Sequence, residues 1–333
     1  MTTAVNSTAL SLVDVLKVTA PDGTALPIAQ LMSARSAILK DALFVEGNLT
    51  TGHTVAQQTG LPSASWRALN AGIAASKGRV NTFTETCAIL SSLGQCAVEL
   101  AEMYPGGPAQ YRLHAAEGHI EAMWQEMEAS WAYASLAAAP NELNGLIPRF
   151  NSTTAVGGSQ IVLCDDAASG SDQTSVLLVG WGARKVYGFY PRGSTTGGIV
   201  HEAMPAQMLA DSGGTNLLKQ YVDTFDWKVG FAVEDYRYIS RVANIDAVNM
   251  AAGTSPIFDA MIEAFYLNEG HKGGAKMAWY CNRAMGTYFH KKARAEASNQ
   301  LTVETIDGKP VVSFLGVPIR ITDGIGSAED VVS

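Results

Sequence analysis

Two segments, "TGHTVAQQTG" (51–60) and "GRVNTFTETCAIL" (78–90), flank a stretch of small residues and turn formers, "LPSASWRALNAGIAASK" (61–77). The second alternates as a strand does, with Val80, Thr82, Thr84 and Thr86 on one side and Asn81, Phe83 and Glu85 on the other. Together they predict a long antiparallel hairpin with a broad tip over residues 60–78. Most of its positions are polar, so it carries little core of its own. A two-stranded ribbon is marginal in water by itself. Something outside the hairpin must hold it, and the tip raises the same demand, because Trp66, Arg67 and Leu69 sit in its middle. A solvated loop rarely carries a tryptophan beside an arginine without a surface to pack on.

The rest of the chain offers much to pack on. Of its 333 residues 47% are hydrophobic and only 16% charged, against about a quarter in ordinary domains. Such a thinly charged chain either exposes little surface or hides part of it against partners. "AQYRLHAAEGHIEAMWQEMEASWAYASLAAAP" (109–140) predicts a helix over about 109–138. Its residues Ile120, Met123, Trp124, Met127 and Trp131 fall on one face. At 1.5 Å per residue that helix would be about 45 Å long. Before the hairpin lie an arm and a short helix ("IAQLMSARSAILKDALF", 28–44). After the long helix, 146–245 is rich in short apolar runs separated by Gly, Asp and Ser, which predicts strands. Helices return at "IFDAMIEAFYL", with Ser255 as expected N-cap and Pro256 in the first turn, and at "NRAMGTYFHKKARAEA". A hairpin turning at Asp307-Gly308 closes the chain.

The chemistry-bearing patterns are missing. His114 and His119 stand five apart, about 140° around a helix, and so cannot share a metal as an H-E-x-x-H pair would. Cys87, Cys96, Cys164 and Cys281 form no C-x-x-C pair, and reduced, buried thiols are expected. "PRGSTTGG", "SGGTN" and "GHKGGAK" match neither phosphate-loop pattern, and G-x-S-x-G does not occur. Asp165-Asp166 and Glu234-Asp235 are adjacent pairs whose side chains diverge on a strand. No catalytic, cofactor-binding or metal-binding residue is therefore assigned. Net charge is −8 with 23 scattered Lys and Arg, which is unlike a dedicated nucleic-acid binder. The "HKKARAEAS" cluster (290–298) reads as a solvated helix face. No signal peptide or membrane-spanning run is apparent, so the sequons at Asn6, Asn48 and Asn151 carry no expectation of glycosylation.

Arm, hairpin, long helix, β-rich body and α/β portion, in that order, resemble the major capsid proteins of tailed bacteriophages. Their fold also forms the herpesvirus capsid floor and the encapsulin shells. The blocks "LFVEGN" (43–48), "TGLPSASWRALNAGIAASK" (59–77), "NGLIPRF" (144–150), "LLVGWGARKVYGFYPRG" (177–193), "WKVGFAVEDYRYISRVANID" (227–246) and "FLGVPIRITDGI" (314–325) are similar to one podophage-type family of these proteins. The resemblance implies an α+β fold with an N-arm (1–42), an E-loop hairpin (43–92), a P-domain sheet with spine helix (93–246) and an α/β A-domain (247–333). The topology is rearranged relative to the founding fold, because the β-rich body precedes the helical portion.

The implied function is self-assembly, as hexamers and pentamers, into an icosahedral shell around double-stranded DNA. The E-loop tip would lie across a neighbouring copy, making Trp66, Arg67, Leu69, Asn70 and Lys77 candidate inter-subunit contacts. The alternative at that point is a Trp66 folded back under its own loop. Some relatives join subunits through a Lys–Asn isopeptide, but nothing marks a partner for Lys77, and cross-linking is not expected. The short arm implies a separate scaffolding protein, with a portal protein at one vertex and scope for a decoration protein. Synthesis in the host cytoplasm and residence in the virion follow, with no cofactor and no membrane. The rivals are an encapsulin-like compartment, a tail or portal component, and a soluble α/β enzyme with an unrecognised site.

Overall fold

The computed structural model describes residues 37–155, 157–165, 170, 172–194, 197–210, 217–253, 255–295, 301–306 and 309–333. The expected arm up to residue 36 and the expected turn at Asp307-Gly308 lie outside them. In chain order come α1 (Ala37–Asp41), β1 (Phe44–Glu46), β2 (Gly52–Gly60), β3 (Arg79–Thr86) and β4 (Ala88–Ala97). The helices α2 (Val98–Glu102) and α3 (Gly107–Tyr133) follow, then β5 (Ile161–Leu163), β6 (Gln173–Trp181), β7 (Val186–Tyr190) and β8 (Val200–Ala210). Next are β9 (Leu217–Val233), β10 (Ile239–Asp246), α4 (Ala247–Ala252), α5 (Ile257–Leu267), β11 (Lys276–Cys281) and α6 (Arg283–Ala295). The chain closes with β12 (Leu301–Ile306), β13 (Lys309–Phe314) and β14 (Val317–Ile321). Among the described residues no helix is long and apolar enough to cross a membrane.

Packing divides the described chain into two units. One holds Ile89–Met127 and Gly198–Lys228; the other holds 37–88, Glu128–Gly197 and Val229–Ser333. Residue 246 is therefore not where packing divides the chain. The reason is strand pairing: β6 takes β10 antiparallel on one side and β11 antiparallel on the other, which welds residues before 246 to residues after it. Sequence order does not reveal such pairings.

In the smaller unit β9 lies between β4 and β8. Alternate residues of β9 meet α3: Asp223 pairs with Arg112, Phe225 stacks with His119 at 5.2 Å, and Trp227 packs on Trp124 at 5.4 Å. His201 of β8 stacks on Phe225 at 4.5 Å, and its Nε2 is 2.9 Å from Asp223 Oδ1. His119 Nδ1 is 2.7 Å from the Ser92 hydroxyl. The two histidines of the "HAAEGH" run thus go separate ways: His119 faces the sheet, and His114 stands 4.0 Å from Glu117 on the helix surface.

In the larger unit β6 is buried along its whole length. Its sheet continues through β11 to β14, β13 and β12, and through β7 to the end of β9; β1 pairs parallel with β7, and β5 parallel with β10. Helices α5 and α6 cover a core built on Val176, Leu178, Val242, Met261, Trp279, Phe289 and Phe314. Ser255 does not cap α5. Pro256 holds that position, and the Ser255 hydroxyl sits 3.2 Å from the buried Cys164 Sγ. Cys96, Cys164 and Cys281 are buried and Cys87 half-buried; burial pushes the Cys281 thiol up to about 12.

The long helix ends at Tyr133, five residues short of expectation. The returning chain supplies the cause. Gly145 N–H donates to the Ala134 carbonyl at 2.8 Å, and Leu146 N–H to that of Trp131 at 2.9 Å. These amides take carbonyls that another helical turn would need. A side chain at residue 145 would stand 2.9 Å from the Ser130 carbonyl oxygen, so only glycine lets the chain come this close. Of the predicted stripe, Met123, Met127 and Trp131 are buried, and Ile120 and Trp124 half-buried.

Candidate functional site

Strands β2 and β3 pair antiparallel from Gly52↔Thr86 to Gly60↔Arg79, with an irregularity at Gln58/Gly60. Period two puts His53, Val55, Phe83 and Glu85 on one face and Thr54, Ala56, Thr82 and Thr84 on the other. The first face is the held one. Val55 and Phe83 pack on Tyr187, Phe189 and Ala232. Glu85 is buried and meets Arg149, which binds both carboxylate oxygens, one at 3.0 Å. Arg149 also donates to the carbonyls of Gly145 at 3.1 Å and Asn144 at 2.9 Å. Such a bidentate, charge-assisted pair is among the stronger polar contacts a fold can make. His53 reaches the Tyr187 hydroxyl at 2.9 Å, and that hydroxyl donates to Glu234 at 3.2 Å. The ribbon's missing support, at its root, is the chain's own body.

Its tip is another matter. Every residue from 61 to 82 is exposed. Trp66 is 105% exposed, Leu69 96%, Leu61 82% and Ile73 73%. Trp66 does not fold back under its own loop. The tip has internal order nonetheless. Arg67 donates to the Ala71 carbonyl at 3.1 Å, and Ser76 to that of Ser63 at 2.8 Å. Asn70 turns the chain at a φ of 68°, a left-handed conformation that asparagine tolerates better than most residues. Lys77 is exposed where the tip returns to β3. The five candidate residues thus share one loop, and four large apolar side chains there stand in water, a feature of binding surfaces.

Where the tip joins β2, a cleft of about 440 Å³ is lined by Gln57, Leu61, Arg184, Glu234, Asp235 and Arg237. Asp235 binds Arg237 at 2.7 Å. No group of three or more metal-ligating side chains occurs among the described residues. Sequence reasoning gave no role to Glu85 or Arg149. The available signal was a lone arginine inside the apolar run "GLIPRF" and a lone acid in a Thr-rich strand. A charge in such a setting is either solvated or paired.

The chain overlays a chain of the bacteriophage Epsilon15 structure with a TM-score of 0.77, covering 99% of each at 26% identity. A chain of the bacteriophage JBD30 capsid overlays with a TM-score of 0.49 at 11% identity, covering 89% of this chain and 93% of that one. The holo-SrpI encapsulin complex of Synechococcus elongatus PCC 7942 contains a chain that overlays at 0.46 and 12% identity, covering 71% and 96%. No curated protein sequence matches. The fold is that of the tailed-phage capsid proteins, a mixed helix-and-sheet chain with a held hairpin and an exposed tip. Residues 20–333 match the model of the family described as major capsid protein GP7, and the chain belongs to that family. It is a major capsid protein, and copies of it associate into the icosahedral shell of a phage virion.

Proposed function

We propose that the shell is built from hexamers and pentamers of this chain around double-stranded DNA, and that the tip over 61–78 is the contact each copy lays on a neighbour. Trp66 and Leu69 are its apolar anchors, and Arg67, Asn70 and Lys77 its polar rim. The observation that carries this is Trp66, fully exposed beside exposed Leu61, Leu69 and Ile73. A buried tryptophan removes 150–250 Å² from water. At about 25 cal/mol per Å² that is worth roughly 4–6 kcal/mol before the cost of ordering. Aromatic residues and arginine are the commonest anchors at interfaces. Each copy meets several neighbours, so modest contacts add up through effective concentration.

The hairpin then serves as the E-loop, the unit holding most of α3 with β8 and β9 as the peripheral domain, and the unit built on β6 and β11 as the axial domain. The chain itself is inert chemically. It is made in the host cytoplasm and assembles with a separate scaffolding protein, a portal at one vertex and, in some virions, a decoration protein. A net charge of −8 suits a wall that must not grip its contents.

The test is electron microscopy of the purified chain, alone and with a candidate scaffolding protein. Closed shells are expected, and native particles should contain DNA. A monodisperse monomer under all conditions would overturn the reading, and native shells filled with an enzyme instead of nucleic acid would point to a compartment.

A further inference from the structure

The hairpin root holds one histidine in a single protonation state. The Asn48 backbone N–H points at His53 Nδ1 from 3.2 Å. An amide N–H can only donate, so Nδ1 must be an acceptor and the proton must sit on Nε2. Nε2 then donates to the Tyr187 hydroxyl at 2.9 Å, and that hydroxyl passes its own proton toward Glu234 Oε2 at 3.2 Å. The first link requires a neutral imidazole, because only an unprotonated Nδ1 can accept from the Asn48 amide. The ring is packed edge-on to Tyr187 at 5.7 Å and tilted on Phe189 at 5.3 Å. On either side the Asn48 side chain clamps Thr54, accepting from its N–H and donating to its carbonyl, both at 2.8 Å. The turn between β1 and β2 therefore hangs on the stretch that His53 occupies.

The charged groups facing the ring are few. From β3, Glu85 is its register partner, with both oxygens engaged by Arg149. Beyond β9 stands Glu234. From β7 comes Tyr187, whose hydroxyl is held far above its ordinary range by burial first and then by Glu234. From the β1–β2 turn comes only the Asn48 amide.

We propose that His53 is an acid-triggered release for the hairpin. A proton on Nδ1 consumes the lone pair that receives the Asn48 amide and sets one N–H against another. The turn must then move off the ring, and the seat of Val55 and Phe83 on Tyr187 and Phe189 loosens with it. Burial holds the His53 pKa below its ordinary 6.5, against a smaller opposing pull from Glu234. The closed root is thus fully favoured above pH 6.5 and weakens as pH falls toward the lowered value. The device belongs to the single chain and operates whether or not the tip binds a neighbour.

Hydrogen–deuterium exchange of the purified chain at about pH 7.5 and about pH 5.5, corrected for intrinsic rates, tests it. Protection over residues 47–60 and 79–88 should fall in acid, by at most about tenfold because pH 5.5 lies one unit below the ordinary 6.5, while β6 and β11 stay protected. H53Q, which cannot titrate, should show less than about a twofold change. E234Q keeps an acceptor for Tyr187 but removes the anion that favours protonated His53 in the closed root, so its protection should fall further in acid than the wild type's. Unchanged protection in the wild type, or an equal loss in H53Q, overturns the proposal. An acid loss in E234Q no larger than the wild type's overturns it as well, and that variant decides alone if H53Q does not fold.

Discussion

Arg149 and Glu85 are 7% and 6% exposed at their side chains, and removing one partner strands the other charge away from water. R149M should lower stability by roughly 3–5 kcal/mol, and the double variant E85L/R149M by less than the sum of the single changes. Denaturant unfolding of the four proteins checks this; strict additivity would mean the pair is not coupled. Asp223 makes a different point. Burial pushes its carboxyl up, yet hydrogen bonds from Arg112 and His201 outweigh that and hold it below the ordinary 3.8. Its contribution is complete above that ordinary value and drains away as pH falls through the lowered one. D223N should therefore lower Tm at neutral pH and flatten the fall of Tm below about pH 4. A parallel shift with the acid limb intact would sink the assignment. Neither residue was legible as structural. Asp223 sits in "YVDTFDW" and Glu85 in "FTET" like any surface acid of a half-solvated strand, and their partners lie 111 and 64 positions away.

At the scale of elements, hairpin and helix could be read because each repeats a local rule. Val80 to Thr86 alternate with period two, and Ile120 to Trp131 recur near period 3.6. Their ends could not be read. The stop of α3 at Tyr133 depends on amides of Gly145 and Leu146, and "YASLAAAP" carries no local signal for it, since alanine and leucine favour helix. Ser255 looked like a cap because serine before proline usually is one; the buried thiol of Cys164 claims it instead. The tip is the element whose sequence most resembled a riddle, and it can be separated from the fold. W66A/L69A should leave the unfolding free energy of the isolated chain within about 0.5 kcal/mol of wild type, because both side chains are solvated there. The same variant should fail to form shells by light scattering and microscopy. Normal shells from W66A/L69A would remove these two residues from the interface.

For the whole molecule, the order of blocks along the chain was enough to reach the fold, whereas the division into packed units was not. Pairing of β6 with both β10 and β11 joins residues from 60 positions apart (Ile239↔Val179) to 103 apart (Tyr280↔Leu177), and no composition shift announces it. Arg241 shows the same thing at the C-terminal segment: buried, it binds Ser175 at 2.9 Å, the Phe150 carbonyl and Glu329, so that three distant stretches close on one guanidinium. Proteolysis separates inner from outer support for the hairpin. In free chains the tip over 61–78 should be cut first, and in assembled shells it should resist. Equal cleavage in both states would count against an interlocked wall.

The chain contains six tryptophans. Trp131, Trp181, Trp227 and Trp279 are buried and Trp124 is half-buried, which leaves Trp66 as the one indole wholly in water. Fluorescence quenching by a soluble agent such as acrylamide will therefore fall almost entirely on that ring. The loss of that quenchable fraction, followed in time, is an unlabelled optical clock for the moment each tip finds its neighbour.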